Sequence, residues 1–289
     1  MSKLLSQDSG RALLGFVDIV GSRERLLAIT NAQEALPYAE KMRKFQQAFF
    51  HEPLNELDIG WKGDVSCLTN AFSDSLIFSI PTEKMAASPM GEFDSIAAVL
   101  YQIGLNAGGL MLEGLFFRGG IDLGFSYHEK DILVSPALLT AFDIEQRIGV
   151  PVIGLSTGLV EFLSSHTERR YYSPESDPLK YLVRRSEFRN FSFHHFDAMR
   201  CVLESIDWEQ PGISKKIKAA LGPDEKESIR SKAFWENRDM CIAIFRGRIQ
   251  EYRTAKGVHR ANSNWVTAYY NELVSEYASG ASRVCLLLD

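Results

Sequence analysis

The order in which strand-like and helix-like stretches follow one another is the feature of this sequence that most restricts its fold. Short apolar runs predict strands at residues 13–20, 65–68, 75–80, 115–125 and 150–155. Segments with apolar residues at helical spacing lie at residues 31–50, 93–112, 136–148 and 157–165. The order β-α-β-β-α-β, followed by α-β-α, is that of a split βαβ, ferredoxin-like core with additions. The sequence therefore predicts an α/β (α+β) fold.

The chain after residue 165 has a different character. Residues 188–196 predict one more strand, and residues 210–224 contain Pro-Gly and Gly-Pro steps that are typical of a break. From residue 225 onward the pattern is helical, with a last helix at residues 264–277. We therefore divide the chain into a domain at residues 10–205 and a helical C-terminal extension at residues 206–289.

Composition narrows the possible partners. A net charge of −5 argues against binding to nucleic acid or to an anionic membrane, although a local cluster of donors can still bind one small phosphorylated ligand. Four widely separated cysteines favour reduced thiols in a cytoplasmic protein. The apolar segment at residues 96–117 contains Gln102, Asn106 and Glu113, so we expect a buried helix running into a strand and no membrane insertion.

Two aspartates are the most informative polar residues. Asp18 lies inside the first apolar run, where a carboxylate is costly unless it is paired or binds a metal, and Asp74 begins the third strand. Each has an ordinary alternative: Asp18 caps a turn, and Asp74 is a hairpin-turn residue. Neighbouring inner strands would bring them face to face, where a divalent ion removes their repulsion. The pair predicts a triphosphate-handling site, with phosphates at the helix start formed by Gly21, Ser22 and, unless it is solvated, Arg23.

Four short motifs, in this order along the chain, resemble those of class III nucleotidyl cyclases. They are FVDIVG at residues 16–21, AFSDSLIF at 71–78, FRGGIDLG at 117–124 and SPALLTAFDIE at 135–145. The first two resemble the metal motifs of that family, the third its Arg-x-Gly-Ile strand, and the fourth its Gly-Pro-x-x-Asn-x-x-x-Arg-x-Glu helix. The resemblance covers roughly residues 13–155 and implies a ferredoxin-like class III cyclase core.

The resemblance also implies a set of ligands. Two divalent ions, Mg²⁺ or Mn²⁺, would be held by Asp18, the carbonyl of Ile19 and Asp74. The substrate would be a nucleoside triphosphate whose ribose 3′-oxygen attacks the α-phosphate. The protein would be a homodimer with its active sites at the interface, where residues of both chains meet.

Departures from the family pattern refine the implied activity. On the helix of the fourth motif, the family has an Asn and an Arg where this chain has Leu139 and Asp143. At the two positions that read the base in the family, this chain has Asn70 and Ile132. These residues are not the ones that read a purine base in adenylyl and guanylyl cyclases. The combination of motifs and departures resembles the pyrimidine cyclases of bacterial Pycsar anti-phage defence. That resemblance implies conversion of UTP, or CTP, to the cyclic nucleotide plus pyrophosphate, with Asn70 reading the base from the partner subunit. The product would activate a companion effector.

Another cation has to replace the missing arginine. Arg118 is the first candidate for a catalytic role, because it lies next to two glycines that allow a ligand to approach closely. Its ordinary alternative is an ion pair with Glu113 or Asp122. Arg147, one helical turn beyond Asp143, is the second candidate, although a pair with Asp143 is the simpler expectation.

Three hypotheses stay open at the level of sequence. The first is a pyrimidine cyclase, favoured by the retention of both Asp18 and Asp74. The second is a degenerate cyclase domain that only dimerises or binds nucleotide as a regulatory module, favoured by the lost Asn and Arg. The third is a divergent adenylyl or guanylyl cyclase. A separate group, His194, His195 and Asp197, is interpreted as part of an exposed strand.

Overall fold

One mixed sheet forms the centre of the protein. The computed structural model describes residues 8–50, 68–72, 74–86, 91–129, 132–174, 177–205, 223–255 and 258–277. The strands are β1 (Asp8–Ile19), β2 (Leu68–Phe72), β3 (Ser75–Pro81), β4 (Phe117–Glu129), β5 (Ile132–Val134), β6 (Ile153–Leu155), β7 (Val183–Phe188) and β8 (Phe191–Phe196). They are arranged in the order β2-β3-β1-β4-β6-β8-β7, and β5 pairs with β4.

The predicted ferredoxin-like core is confirmed by the connections of these strands. Strands β2, β3, β1 and β4 lie side by side and are antiparallel, as a βαββαβ unit requires. Strand β6 then joins β4 in parallel, which makes the sheet mixed. The fold class expected from the sequence, α/β (α+β), is therefore correct.

The helices lie on both sides of this sheet. They are α1 (Ser22–Leu27), α2 (Ala32–Phe50), α3 (Thr82–Ala86), α4 (Glu92–Leu112), α5 (Pro136–Ile148), α6 (Thr157–Ser165), α7 (Leu179–Leu182), α8 (Ala198–Ser205), α9 (Pro223–Thr254) and α10 (Arg260–Tyr277), with a 3-10 turn at Thr167–Tyr171. Helix α5 follows its sequence signals closely, since Ser135 caps its start and Gly149 ends it in the left-handed conformation.

Helix α4 is the central helix of the core. It shares one buried cluster with β1 and β3, through side chains such as Leu13, Val17 and Phe78. Its length and a mean hydropathy of 1.4 would suit a membrane span, but 61% of that window is buried inside the protein. The expectation of a buried helix leading into a strand is confirmed, and the strand is β4.

Helix α5 covers the opposite face of the sheet and lies very close to it. A Cβ on Gly120 of β4 would come within 2.1 Å of the Ala141 carbonyl oxygen, and one on Gly154 of β6 within 2.2 Å of Ile148. Glycine is therefore required at both positions for the helix to reach this depth. The close contact places the inner side of α5 directly over β1 and β4.

Some predicted elements are displaced. Strand β2 begins at Leu68, so Asn70 lies within the strand rather than in a loop, while residues 65–67 are outside the described residues. The strand predicted at residues 188–196 corresponds to β8. Strand β7 precedes it, was not predicted, and is joined to it by a turn at Arg189 and Asn190, both of which have positive φ. Helix α10 begins at Arg260, four residues earlier than predicted.

The C-terminal helices pack onto the core instead of standing apart. Ile242, Phe245 and Ile249 of α9, and Tyr270 of α10, belong to the same buried cluster as α4. Residues 206–222 are outside the described residues, so the proposed boundary between residues 205 and 206 stays a prediction.

Candidate active site

The two aspartates singled out by sequence lie together where β1 ends and β3 begins. Asp18 is opposite Ser75 of β3 and opposite Arg118 of β4. The Ser75 hydroxyl donates a hydrogen bond of 2.9 Å to Asp18 Oδ1. The backbone N–H of Ile19 donates to the Asp74 carbonyl oxygen at 3.2 Å, which fixes the Asp74 turn against the end of β1. The strand pairing itself therefore brings the two carboxylates to one place.

A tight turn connects Asp18 to helix α1. Gly21 has a φ of +76°, a conformation that side chains disfavour, and it has open space around it. Helix α1 begins at Ser22, whose side chain is buried and whose hydroxyl donates a hydrogen bond to Asp74 Oδ2. The start of α1 is thus tied to the second aspartate.

Arg118 lies between two carboxylates. One of its terminal nitrogens is 3.6 Å from Asp18 Oδ2, and its Nε is in ion-pair contact with Glu145 Oε1. Asp122, an alternative partner in the sequence-based expectation, accepts a hydrogen bond from Ser156 instead. The structure therefore places Arg118 inside the aspartate site.

Glu145 is the site residue that sequence reasoning did not select. It is on α5, almost completely buried, and α5 carries it to the Arg118 side of the sheet. The available signal was its place at the end of the fourth motif, on the same face of the helix as the apolar residues Ala141 and Ile148. A buried glutamate on such a helix requires a cation.

Burial dominates the electrostatics of the cluster. Desolvation raises the pKa of Asp18, the neighbouring Asp74 charge raises that pKa further, and the Ser75 hydrogen bond and Arg118 lower it. Desolvation also raises the pKa of Glu145, against the opposing effect of Arg118. One guanidinium thus serves several carboxylates, and the cluster has an excess of negative charge.

The donor set suits a hard divalent ion with an incomplete protein shell. Among the described residues, no group of three or more His, Cys, Asp or Glu side chains is arranged to hold a metal. Two carboxylates and the Ile19 carbonyl are nevertheless the oxygen donors that Mg²⁺ uses together with substrate phosphates and water. Asp18 and Asp74 fit such an ion, with the remaining ligands coming from outside the chain.

The remaining predicted positions lie on β2, α1, β5 and α5. Asn70 is on β2, opposite Ile77 of β3, and its backbone alone is described. Arg23 is in α1, and its side chain is likewise outside the described residues. Ile132 and Leu139 are exposed on β5 and α5.

Arg147, the second candidate cation, lies on the opposite flank of α5 from Glu145. It is exposed and lines a cavity of about 810 Å³ together with Asp143 of α5 and Arg185 of β7. The structure shows no ion pair between Arg147 and Asp143, so that simpler expectation is wrong.

His195 and Asp197 of the histidine group are buried, which corrects the interpretation of the group as part of an exposed strand. Strand β8 is internal, between β6 and β7, and His195 is completely buried. Its Nδ1 bonds to the Phe196 carbonyl oxygen at 2.8 Å and its Nε2 to the Ser186 hydroxyl at 2.9 Å. Burial lowers the pKa of His195 to about 4, so the ring is neutral at pH 7.

Comparisons with known proteins complete the description. No protein-family model and no curated protein matches the sequence.

Solved structures do match. A bacterial light-regulated adenylyl cyclase has 11% identity and a TM-score of 0.39, covering 66% of this chain and 92% of that one. The catalytic core of a rhodopsin–guanylyl cyclase with converted specificity, in complex with ATPαS, has 11% identity and a TM-score of 0.39, covering 66% and 98%. The monomeric guanylyl cyclase domain of the RhoGC fusion protein from the aquatic fungus Blastocladiella emersonii has 10% identity and a TM-score of 0.38, covering 66% and 97%. Values of this size establish no family membership, and the assignment of the fold rests on the strand order.

Proposed function

We propose that this protein is a metal-dependent nucleotidyl cyclase of the class III type that acts on a pyrimidine nucleoside triphosphate, UTP first and CTP second. The observation that carries the proposal is the juxtaposition of Asp18 and Asp74 at the junction of β1, β3 and α1. A buried carboxylate beside a second one has a cost that a protein without a cation-dependent task has no reason to retain.

The chemistry follows from the donors of this site. Asp18, the Ile19 carbonyl and Asp74 would hold two divalent ions, which when bound lower the pKa of the ribose 3′-hydroxyl and neutralise the triphosphate. The bond from the 3′-oxygen to the α-phosphorus forms as the bond to the pyrophosphate oxygen breaks, and the hydroxyl proton leaves to solvent. The turn at Gly21 leaves room for phosphate oxygens beside the first N–H groups of α1.

The departures from purine-reading residues favour a pyrimidine base. An amide at Asn70 offers both a donor and an acceptor, while Ile132 offers neither. Neither Leu139 nor Asp143 can supply the positive charge that stabilises a phosphoryl transition state. Arg118 is our candidate for that charge, because it already lies beside Asp18.

A homodimer is the second part of the proposal. Large apolar side chains are exposed on the consecutive elements β4, β5 and α5, namely Phe125, Ile132, Val134, Leu139 and Phe142. A patch of this kind suits a self-complementary interface. In such a dimer α5 of one protomer would lie near the aspartates of its partner, and Asn70 would read the base in trans.

A product assay tests the activity. The purified protein is incubated with Mn²⁺ and each of the four nucleoside triphosphates, and products are identified by mass spectrometry, with Asp74→Ala as the inactive control. We expect cyclic UMP or cyclic CMP with release of pyrophosphate. If no cyclic product forms from any substrate, the enzyme proposal is wrong, and if cyclic AMP is the main product, the pyrimidine proposal is wrong.

Mixing two inactive variants tests the dimer. Asp74→Ala and Asn70→Ala, each inactive alone, are co-refolded or co-expressed. If the two residues belong to different protomers of one active site, heterodimers regain one complete site, and about a quarter of the wild-type activity returns. No recovery in a mixture proven to contain heterodimers would contradict the composite site.

The biological setting that we propose is anti-phage signalling. A cyclic pyrimidine nucleotide would act as a second messenger for a companion effector. The rival function is a catalytically degenerate domain that binds nucleotide or dimerises, and the engagement of Arg118 by Asp18 and Glu145 favours that rival. Nucleotide binding without turnover in the product assay would select it.

A further inference from the structure

The two contacts of Arg118 are unequal. Its contact with Glu145 is close and involves a carboxylate that is almost completely buried, whereas Asp18 Oδ2 is 3.6 Å away on the more open side. The side chain of Arg118 is 36% exposed, so it has room to move. The contact that can break at low cost is therefore the one with Asp18, while Glu145 keeps the guanidinium attached.

We propose that Arg118 is an internal counter-ion that neutralises Asp18 until a divalent cation displaces it, and that Glu145 is the positioning residue that retains Arg118 when this happens. The proposal rests on the proposed function, since it assigns the metal to Asp18. A guanidinium and a divalent ion at the same carboxylate repel each other, so each weakens the binding of the other.

Glu145 tunes this competition. With Glu145 ionised, Arg118 divides its attraction between two carboxylates, and Asp18 is easier to release. Without that charge, Arg118 would bind Asp18 alone and oppose the metal more strongly. The arrangement keeps the affinity for a free ion low, so that tight binding waits for the additional oxygen ligands that a triphosphate brings.

Mn²⁺ binding to the full-length protein in the absence of nucleotide tests the idea, measured from the electron paramagnetic resonance signal of the free ion. Glu145→Gln keeps the shape of the side chain and removes its charge, and it should weaken Mn²⁺ binding several-fold. The double variant Arg118→Met, Glu145→Met removes both charges and fills a similar volume, and it should strengthen binding about tenfold. Asp18→Asn serves as the control without a site.

The outcomes separate the two levels of the proposal. If the wild type and Asp18→Asn bind Mn²⁺ equally, or if neither the wild type nor the double variant binds it, the metal site fails and the proposed function with it. If binding depends on Asp18 but Glu145→Gln and the double variant leave the affinity unchanged, the ion pair is merely structural and this inference is overturned while the function stands. Glu145→Gln is expected to weaken Mn²⁺ binding and the double variant to strengthen it. Either result alone therefore tests the inference if the other variant does not fold.

Discussion

Two clusters of polar residues are built from the same kinds of side chain and differ in how their charges are balanced. In the first, Asp18 and Glu145 share one arginine, Arg118, beside a further carboxylate, Asp74. In the second, two arginines surround a single aspartate, Asp197. Arg200 Nε is 3.0 Å from it and an Arg184 nitrogen 3.6 Å, and Tyr269 donates a hydrogen bond of 2.6 Å.

The difference lies in how completely each cluster satisfies itself. Asp197 has partners for both carboxylate oxygens, and its two arginines reach outward to Glu272 and Glu276. In the first cluster, Arg118 Nε and Glu145 Oε1 are in contact but form no well-directed hydrogen bond. Complete pairing is what a structural cluster needs, whereas an excess of carboxylates is what a cation-binding site needs. We therefore propose that the first cluster serves activity and the second serves stability.

Replacing Asp18 by Asn should produce the largest effect and should act on activity alone. Under the proposed function, the substitution keeps the shape of the side chain but removes a metal ligand, so cyclase activity should fall by at least about a thousandfold. Since burial raises the pKa of Asp18, the folded state holds its proton more tightly than the unfolded state does. Its ionised form therefore lowers stability as pH rises through the folded pKa. The thermal midpoint at neutral pH in metal-free buffer should stay the same or rise.

Thermal unfolding and the product assay, run on the same preparation, check this pair of expectations. A large loss of stability in Asp18→Asn would mean that Asp18 is a structural residue, and the contrast between the two clusters would collapse.

The same substitution at Asp197 should give the reverse result. Asp197→Asn leaves two buried guanidiniums with less counter-charge and removes an acceptor for Tyr269, so the free energy of unfolding should fall by about 3 kcal/mol. The specific activity of the folded fraction should be nearly unchanged. Urea denaturation gives the stability, and a decrease in specific activity as large as that of Asp18→Asn would show that the second cluster takes part in the reaction.

The sequence was sufficient to locate the two aspartates and Arg118 but not Glu145. Asp18 stands out because a carboxylate inside an apolar strand violates the strand pattern, and Asp74 follows from the hairpin. The position of Glu145 beside Arg118 depends on how closely α5 approaches the sheet. That distance is set by Gly120 and Gly154 on two different strands. That depth is a tertiary property and has no local signature.

Strand β7 and the burial of His195 were not predicted from the sequence for a related reason. Strand β7 is polar and lies at the edge of the sheet, so its alternation is weak, and its turn uses Arg189 and Asn190 without a glycine. The pattern therefore predicted one strand in place of two. The burial of His195 arises when β8 is enclosed by β7 and when Trp265 and Tyr269 of α10 contact the ring.

Acidification should destabilise the protein through His195, whose ring contacts Tyr269 of the second cluster. Its folded-state pKa is about 4, below the ordinary value, mainly because of burial. Between that pKa and about 6.5 the unfolded chain binds a proton that the folded chain does not, so stability falls as pH falls through this window. Between pH 7 and pH 5 the loss should be on the order of 2 kcal/mol. In His195→Gln, whose amide can replace only one of the two ring contacts and does not titrate, this part of the loss should disappear. Identical pH dependence in the two proteins, measured by urea denaturation, would contradict the neutral buried ring.

Two matched glycine substitutions give the smallest expected effect and test the role of helix depth. A Cβ at Gly120 would lie 2.1 Å from the Ala141 carbonyl oxygen of α5, and one at Gly108 would lie 2.3 Å from the Ala198 carbonyl oxygen of α8. Each alanine variant should lose about 1–3 kcal/mol of stability through overpacking. Only Gly120→Ala should also alter Mn²⁺ binding, because it lifts α5 and with it Glu145 away from Arg118. The metal affinity should shift in the direction expected for Glu145→Gln. Equal Mn²⁺ affinities in the two variants would mean that the first cluster tolerates displacement of α5, and that Glu145 does not depend on this contact for its place beside Arg118.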